Sequence, residues 1–287
     1  MVVLAVEQLT KKYRSKVVLE DIDLQFSNET GIYGLLGRNG VGKTTLLKMI
    51  SNQSVHYQGR ITYDGQSVHE NPALEGKIFC AMNFGFKDDF FLQNKLKTIL
   101  QVMPIAYPTF DVDYAKRLLE DFGLRLKDKY RKLSSGNKTL VLNILALASG
   151  CPVTLFDEPT NGLDSVNREK FFKELMANYA KKPRLFILST HLIQEVQNYL
   201  TDVVILKDKQ VLLNEPLEDI QEKSYQIIGG ETLSDKNVLS TEQLGNQSIQ
   251  YVFDRLSEED FEEIQQAGGS VSMMDLQTLF NRLMEGE

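Results

Sequence analysis

Residues 37–45 read GRNGVGKTT and lie between an apolar run (Gly31, Ile32, Tyr33, Gly34, Leu35, Leu36) and a second apolar stretch (Leu46, Leu47, Met49, Ile50). The order is strand, glycine-rich loop, helix start. The spacing Gly37-x4-Gly42-Lys43-Thr44 lets successive backbone N–H groups point inward, so a polyphosphate is cradled by amides and by a helix N-terminus. In such a loop the Lys43 ammonium reaches the β- and γ-phosphates and the Thr44 hydroxyl a Mg²⁺ ion. The bland alternative is a glycine-rich turn between strand and helix. Placement after one apolar segment and before another favours the nucleotide cradle.

The elements around this loop belong to a chain of 287 residues, 42% hydrophobic and 25% charged, the balance of a soluble globular protein with room for a large domain and an accessory one. A formal net charge of −7 argues against a nucleic-acid surface as the main task, and no nucleic-acid partner is expected. Cys80 and Cys151 sit in apolar surroundings, follow no metal-ligand spacing and read as buried, reduced thiols of a cytosolic protein. No stretch approaches the roughly 18 consecutive apolar residues of a membrane span, and the start MVVLAVEQLTKKYRSK lacks the pattern of a secretory signal. The expectation is a soluble chain whose membrane role, if any, runs through a partner.

Short β-rich runs at 2–6, 17–19 and 22–26 read as a small antiparallel sheet, followed by a strand and turn at 58–65 and a buried strand at 77–82. Helical spacing of Leu118, Leu119, Phe122 and Leu124 places a helical region at about 92–124. Ser134 opens a further helix with an apolar face of Leu140, Ile144, Leu147 and Ala148. Then come a strand at 153–156 ending in Asp157 and Glu158, a helix near 167–179, a strand at 185–189, another helix and a strand at 203–206. Strands alternating with helices predict a parallel sheet covered on both faces. Past about 216 the pattern changes to a polar stretch, a strand at 248–253, a helix at 257–266, a Gly268-Gly269 break and a closing helix near 275–284.

Four further elements follow the loop in a fixed order: LSSGN at 133–137, LFDE at 155–158, GLD at 162–164, and His191 after a strand. Together they resemble the ATP-binding subunit of ABC transporters, over roughly residues 2–215. The resemblance implies an α/β fold, a P-loop NTPase with an N-terminal antiparallel β subdomain and a helical signature subdomain at about 87–135. A 1–215 ATPase domain would precede a small C-terminal α/β extension over 216–287. It implies ATP and Mg²⁺ as cofactors, with Gly37, Asn39, Gly40, Val41, Gly42, Lys43, Thr44 and Thr45 on the nucleotide and Lys43 among the catalytic groups. Asp157, at a strand end, would hold the metal beside Thr44, and Glu158 resembles the family's general base for the attacking water. Read without the family, the two acids cap the following turn. His191 in STHLIQEV resembles the histidine that contacts the γ-phosphate, whereas His56 and His69 read as surface residues.

LSSGN resembles the family signature. Ser134 as N-cap and Gly136 in the first turn leave amides free to face the phosphates of a second subunit, with the Asp164 loop between the two sites. Standing alone it would be an ordinary helix cap. Tyr13 lies where the family stacks an aromatic on adenine, and is otherwise a packing residue. Asn83 stands where the family generally has a metal-ligating glutamine, one methylene longer, and Ser135 and Asn137 depart from the signature's glycine and glutamine. Hydrolysis is expected all the same, even if slow.

The aromatic segment FGFKDDFF, with Phe84, Phe86, Phe90 and Phe91, reads either as a groove for a cytoplasmic helix of a transmembrane permease or as core of the helical subdomain. The ending MMDLQTLFNRLMEG is similar to that of exporter-type subunits, which implies export of a peptide, drug or lipid-like molecule; an amphipathic dimerisation helix has the same pattern. The implied partners are a transmembrane permease subunit and a second ATPase subunit, in a homodimer or heterodimer. The implied location is cytoplasmic, peripheral on the cell membrane through the partner. The competing readings are a soluble ABC-type ATPase outside transport and an ATP-gated clamp with little turnover.

Overall fold

The computed structural model describes residues 4–26, 30–74, 76–82, 89–230, 233, 235–245 and 247–285. Two compact units divide the chain, Met1–His191 with Val203–Asn214, and Leu192–Asp202 with Glu215–Glu287.

In the first unit, β1 (Leu4–Tyr13) and β2 (Lys16–Phe26) form a hairpin. Ile22, Leu24 and Phe26 of β2 are buried and alternate with exposed Asp21, Asp23 and Gln25, the period of a sheet packed on one face. β3 (Gly31–Leu36) leads through the glycine-rich loop into α1 (Lys43–Ile50), and the chain returns through β4 (Gln58–Tyr63) and β5 (Gln66–Ser67). The first sheet has the order β2-β1-β4-β5 with antiparallel neighbours. β6 (Ile78–Ala81) opens the second half of the unit.

The helical region is three helices, α2 (Asp89–Gln93), α3 (Leu96–Ala106) and α4 (Val112–Asp121). Pro108 follows α3 closely, and Asp111 starts α4 afresh by accepting the Tyr114 N–H at 2.9 Å. α5 (Ser135–Ser149) departs from the expected single apolar face, because every residue from 139 to 149 is buried. It is a core helix packed on all sides in its C-terminal two-thirds, and it ends at Gly150 in the left-handed conformation, φ +64°.

β7 (Val153–Asp157), α6 (Ser165–Lys181), β8 (Leu185–Thr190), β9 (Asp202–Lys207) and β10 (Gln210–Pro216) complete the second sheet, of order β10-β9-β3-β8-β7-β6. β3, β8, β7 and β6 run parallel in register. β3, β7 and β8 are buried along their whole length, which is why they read as continuous apolar runs without alternation. β10 was not expected from the sequence; its exposed positions alternate with half-buried or buried ones, but the apolar Leu212 is among the exposed ones and blurs the pattern.

The second unit holds α7 (Ile193–Val196), α8 (Leu217–Gln221), β11 (Ser224–Ile228), β12 (Val238–Leu244), β13 (Gln247–Phe253), α9 (Glu258–Gln266), β14 (Ser270–Met273) and α10 (Leu276–Glu285). The strands form one antiparallel sheet, β12-β13-β11-β14. Only β13 was expected from the sequence. Its Ile227, Val252 and Ile264 core is small, and α9 is started by a reciprocal capping box between Ser257 and Asp260.

Phe156, fully buried on β7 one residue before Asp157, meets the rings of Phe171 and Phe186 edge-on at 5.8 and 5.7 Å. Phe156→Ala should lower the unfolding free energy of the chain by about 3–5 kcal/mol in urea titrations followed by circular dichroism. A change under about 1 kcal/mol would mean that this aromatic cluster does not hold β7 in place.

Candidate functional site

The parallel register sets β3, β8 and β7 side by side, so their C-terminal ends meet at one edge of the sheet. Leu36 faces Thr190, and Asp157 faces Ser189. The loop after β3 brings α1 to the same edge. Its first turn leaves the N–H groups of Lys43, Thr44 and Thr45 without helical partners, since the first such bond runs from the Leu46 N–H to the Gly42 carbonyl at 2.9 Å. Gly42 stands at φ +122°, and a Cβ there would lie 2.6 Å from Leu19 of β2, so no other residue lets the loop turn under that strand.

Lys43 is buried. Its ammonium donates to the Gly37 carbonyl at 2.6 Å and to the Arg38 carbonyl at 3.4 Å, and lies 3.8 Å from Glu158 Oε1. Burial pushes it below the usual lysine range, against the pull of the Glu158 and Asp157 carboxylates. An anion entering the loop would favour its charged form. The Thr44 hydroxyl donates to Asp157, 3.0 Å from Oδ1 and 2.9 Å from Oδ2. The other Glu158 oxygen, Oε2, is 3.0 Å from His191 Nδ1, so one carboxylate bridges the lysine of the loop and the histidine after β8. Gly37 is buried, Val41 and Thr45 are partly exposed, and Asn39 and Gly40 are exposed at the loop tip.

Thr44 and Asp157 present hard oxygen donors within hydrogen-bond distance of each other, a pair suited to a small divalent cation that takes its remaining ligands from phosphate and water. No cluster of three or more His, Cys, Asp or Glu residues that could cage a metal by itself exists among the described residues. The third expected metal ligand, Asn83, lies outside the described residues.

Sequence reasoning overlooked Ser189. Its hydroxyl donates to Asp157 Oδ1 at 2.6 Å and accepts the Glu158 N–H at 3.3 Å, while its carbonyl accepts the same N–H at 3.0 Å. The available signal was a Ser-Thr pair closing an apolar strand. Asn143 of α5 was missed as well; buried, it donates to the Pro159 carbonyl at 2.7 Å and fastens the turn after the two acids.

The signature residues stand apart from this cluster. Ser134 N-caps α5 by accepting the Asn137 N–H at 3.2 Å. Gly136 is required by a close approach, for a Cβ on it would sit 2.2 Å from the Gly162 carbonyl. Ser134 and Asn137 line a cavity of about 530 Å³ together with Arg125, Lys127, Lys129 and Lys132, and no residue of the 37–45 loop shares it. Asp164 caps α6 through the Asn167 N–H at 2.8 Å. Tyr13, at the end of β1, is 47% exposed, with the Lys11 ammonium 4.7 Å from its ring centroid. Of the aromatic segment, Phe91 is buried with its ring 6.1 Å from that of Tyr130, a core role; Phe84, Phe86 and the side chain of Phe90 lie outside the description. His56 and His69 are exposed, and Cys151 is buried and Cys80 partly so, both as free thiols.

A glycine-rich loop ending in a buried lysine, a paired threonine and aspartate, and a glutamate in contact with both that lysine and a histidine thus meet at one edge of the sheet. The sequence pattern of the ABC transporter family matches residues 19–161. The ABC transporter ATP-binding protein NatA of Bacillus subtilis is 31% identical over 73% of this chain and 87% of its own length. The ATP-binding protein YtrB of the same organism is 28% identical over 77% of this chain and 74% of its own. A solved structure of the ATP-binding subunit of an ABC transporter superposes with a TM-score of 0.65 at 26% identity, covering 76% of this chain and 92% of that one. The chain belongs to the ABC transporter family, as an ATP-binding, ATP-hydrolysing subunit.

Ser189→Ala removes a buried donor from Asp157 and should reduce the rate of phosphate release from ATP about tenfold, ~1.4 kcal/mol, with an unchanged circular dichroism spectrum. Turnover equal to that of the unaltered chain would show that the Thr44 hydroxyl suffices to orient Asp157.

Proposed function

We propose that this chain is the ATP-driven engine of a separate transmembrane permease, working as a pair of ATPase subunits on the cytoplasmic face of the membrane. The observation that carries the reading is the contact of Glu158 with both Lys43 and His191, beside the Thr44–Asp157 pair. Loop amides and Lys43 would bind the polyphosphate, and Tyr13 would offer its exposed ring to adenine. Thr44 Oγ1 and the Asp157 carboxylate would hold Mg²⁺, which when bound neutralises charge on the β- and γ-phosphates. Glu158 accepts a proton from the attacking water, and His191 orients the Glu158 carboxylate through Nδ1. Lys43 stabilises the charge that develops on the transferred phosphoryl group. No helix among the described residues is long and apolar enough to cross a membrane.

Ser134 lines a cavity that no residue of the 37–45 loop shares, which supports a dimer in which each signature helix completes the other subunit's site. An identical copy or a paralogue could supply it. For permease docking the favoured surface is a cavity of about 610 Å³ whose lining includes Ile50, Val68, Leu74, Ile78, Ile105 and Tyr107. Ile105 is 81% exposed there, an apolar side chain suited to a partner helix. The C-terminal sequence supports export of a peptide, drug or lipid-like molecule. Transport into inside-out vesicles by the reconstituted complex would establish export, and transport into right-side-out vesicles would refute it.

Glu158→Gln should lower turnover at least ~100-fold while calorimetry finds nucleotide binding retained; equal rates would remove Glu158 as the base. Ile105→Asp should reduce both co-purification with the permease in detergent and permease-stimulated turnover. Retention of both would place the docking surface elsewhere.

A further inference from the structure

Two cavities of about 480 and 470 Å³ open at the N-terminal ends of the parallel strands, the edge of the sheet away from Asp157 and Glu158. They share Thr109, Gly150, Lys182 and Arg184. Arg184, the residue before β8, is 5% exposed, yet it lines both. Its Nη2 donates to the Leu147 carbonyl at 3.0 Å, its Nε lies 3.4 Å from Thr154 Oγ1, and its guanidinium carbon is 4.6 Å from the Phe186 ring centroid. Nη1 makes no hydrogen bond among the described residues, which leaves two donors of the fork without an acceptor there on a residue that lines both cavities.

Nor does any carboxylate form an ion pair with Arg184 among the described residues. Burial pushes the Arg184 guanidinium down to about 10, and the groups that raise it are Cys151 and Tyr114, with no carboxylate among them. It therefore stays charged at neutral pH. Of the acids around the two cavities, Glu174 is taken by Arg117 at 3.0 Å and Asp111 caps α4. Lys77, Lys181 and Lys182, also in the lining, are exposed and make no ion pairs among the described residues, and Asp64 is the one remaining acid of the lining. A buried arginine with no anion is costly to maintain, and here the space for the missing anion is present.

We propose that this cleft binds a small molecule through a phosphate or carboxylate group, whose oxygens accept from the free Arg184 Nη1 while Lys182 adds outer charge. Each cavity has the volume of a small-molecule site. The ligand would bridge the C-terminal end of α5, whose Leu147 carbonyl already holds the guanidinium, and the start of β8, whose far end leads to His191. It is separate from the nucleotide loop and does not depend on the transport reading above.

The test is calorimetry on the full chain saturated with MgADP, so that the 37–45 loop is filled, titrated with inorganic phosphate and, separately, with citrate. Saturable binding of at least one probe is expected, abolished in Arg184→Gln and weakened about fivefold or more in Lys182→Glu. Which probe binds distinguishes the two headgroups. Lys182 is exposed, so its reversal keeps the test readable if Arg184→Gln fails to fold. No saturable binding of either probe up to about 10 mM, or binding that Lys182→Glu leaves unchanged, overturns the assignment.

Discussion

The edge of the sheet where β3, β7 and β8 end depends on how one buried carboxylate is satisfied. Asp157 is 9% exposed at the end of β7, and its oxygens accept from two hydroxyls that come from different places in the chain, Thr44 on α1 and Ser189 on β8. Leaving such a carboxylate unpaired would cost several kcal/mol. Those hydroxyls reach it only if β7 and β8 pair in the observed register and if the loop after β3 delivers α1 to the same edge. Strand register, loop conformation and site geometry are thus coupled through a single side chain. A one-residue slip of β8 would replace Ser189 by an apolar or misdirected neighbour and break the bond.

Much of this was legible in the sequence. The apolar runs of β3, β7 and β8 announce buried parallel strands because both faces are covered, and the glycines and Lys43 between β3 and α1 announce the loop. What escaped were elements whose patterns are blurred by exposure. β12, written VLSTEQL, and β14, written SVSM, have mostly exposed or half-buried residues and so lack the alternation that marks a strand with one face in a core. Their pairing is fixed by backbone hydrogen bonds to β13 and β11, which no local pattern records. α5 was legible as a helix opened by Ser134, but its burial is wider than one face: a helix buried on all sides has no periodic polar face to reveal its orientation.

At this edge of the sheet, residues with a distinctive type and spacing could be singled out from the sequence, and residues acting through ordinary chemistry could not. Ser189 is one serine among many until the register of β8 sets it against Asp157. Arg184 likewise sits in KKPR, which reads as a solvated basic turn, although three of these four residues are exposed and the arginine is buried beneath them. Chain order cannot distinguish the lysine that stays in water from the arginine that leads Leu185 into the sheet. That distinction appears only once α5 and α6 close over the strand ends.

The neighbouring acids raise a final geometric problem. In an extended strand, consecutive side chains point to opposite faces, so Asp157 and Glu158 could not both serve one edge. The chain solves this by ending β7 at Asp157 and placing Glu158 at φ +49°, a left-handed conformation that costs a non-glycine residue of order 1–3 kcal/mol. That turn brings the Glu158 carboxylate back between Lys43 and His191. Ser189 opposes the cost, because its carbonyl and hydroxyl both accept the Glu158 N–H while the same hydroxyl donates to Asp157. One serine therefore fixes the orientation of one acid and the backbone of the next, which makes the strained residue a product of the strand beside it instead of a local accident of the turn.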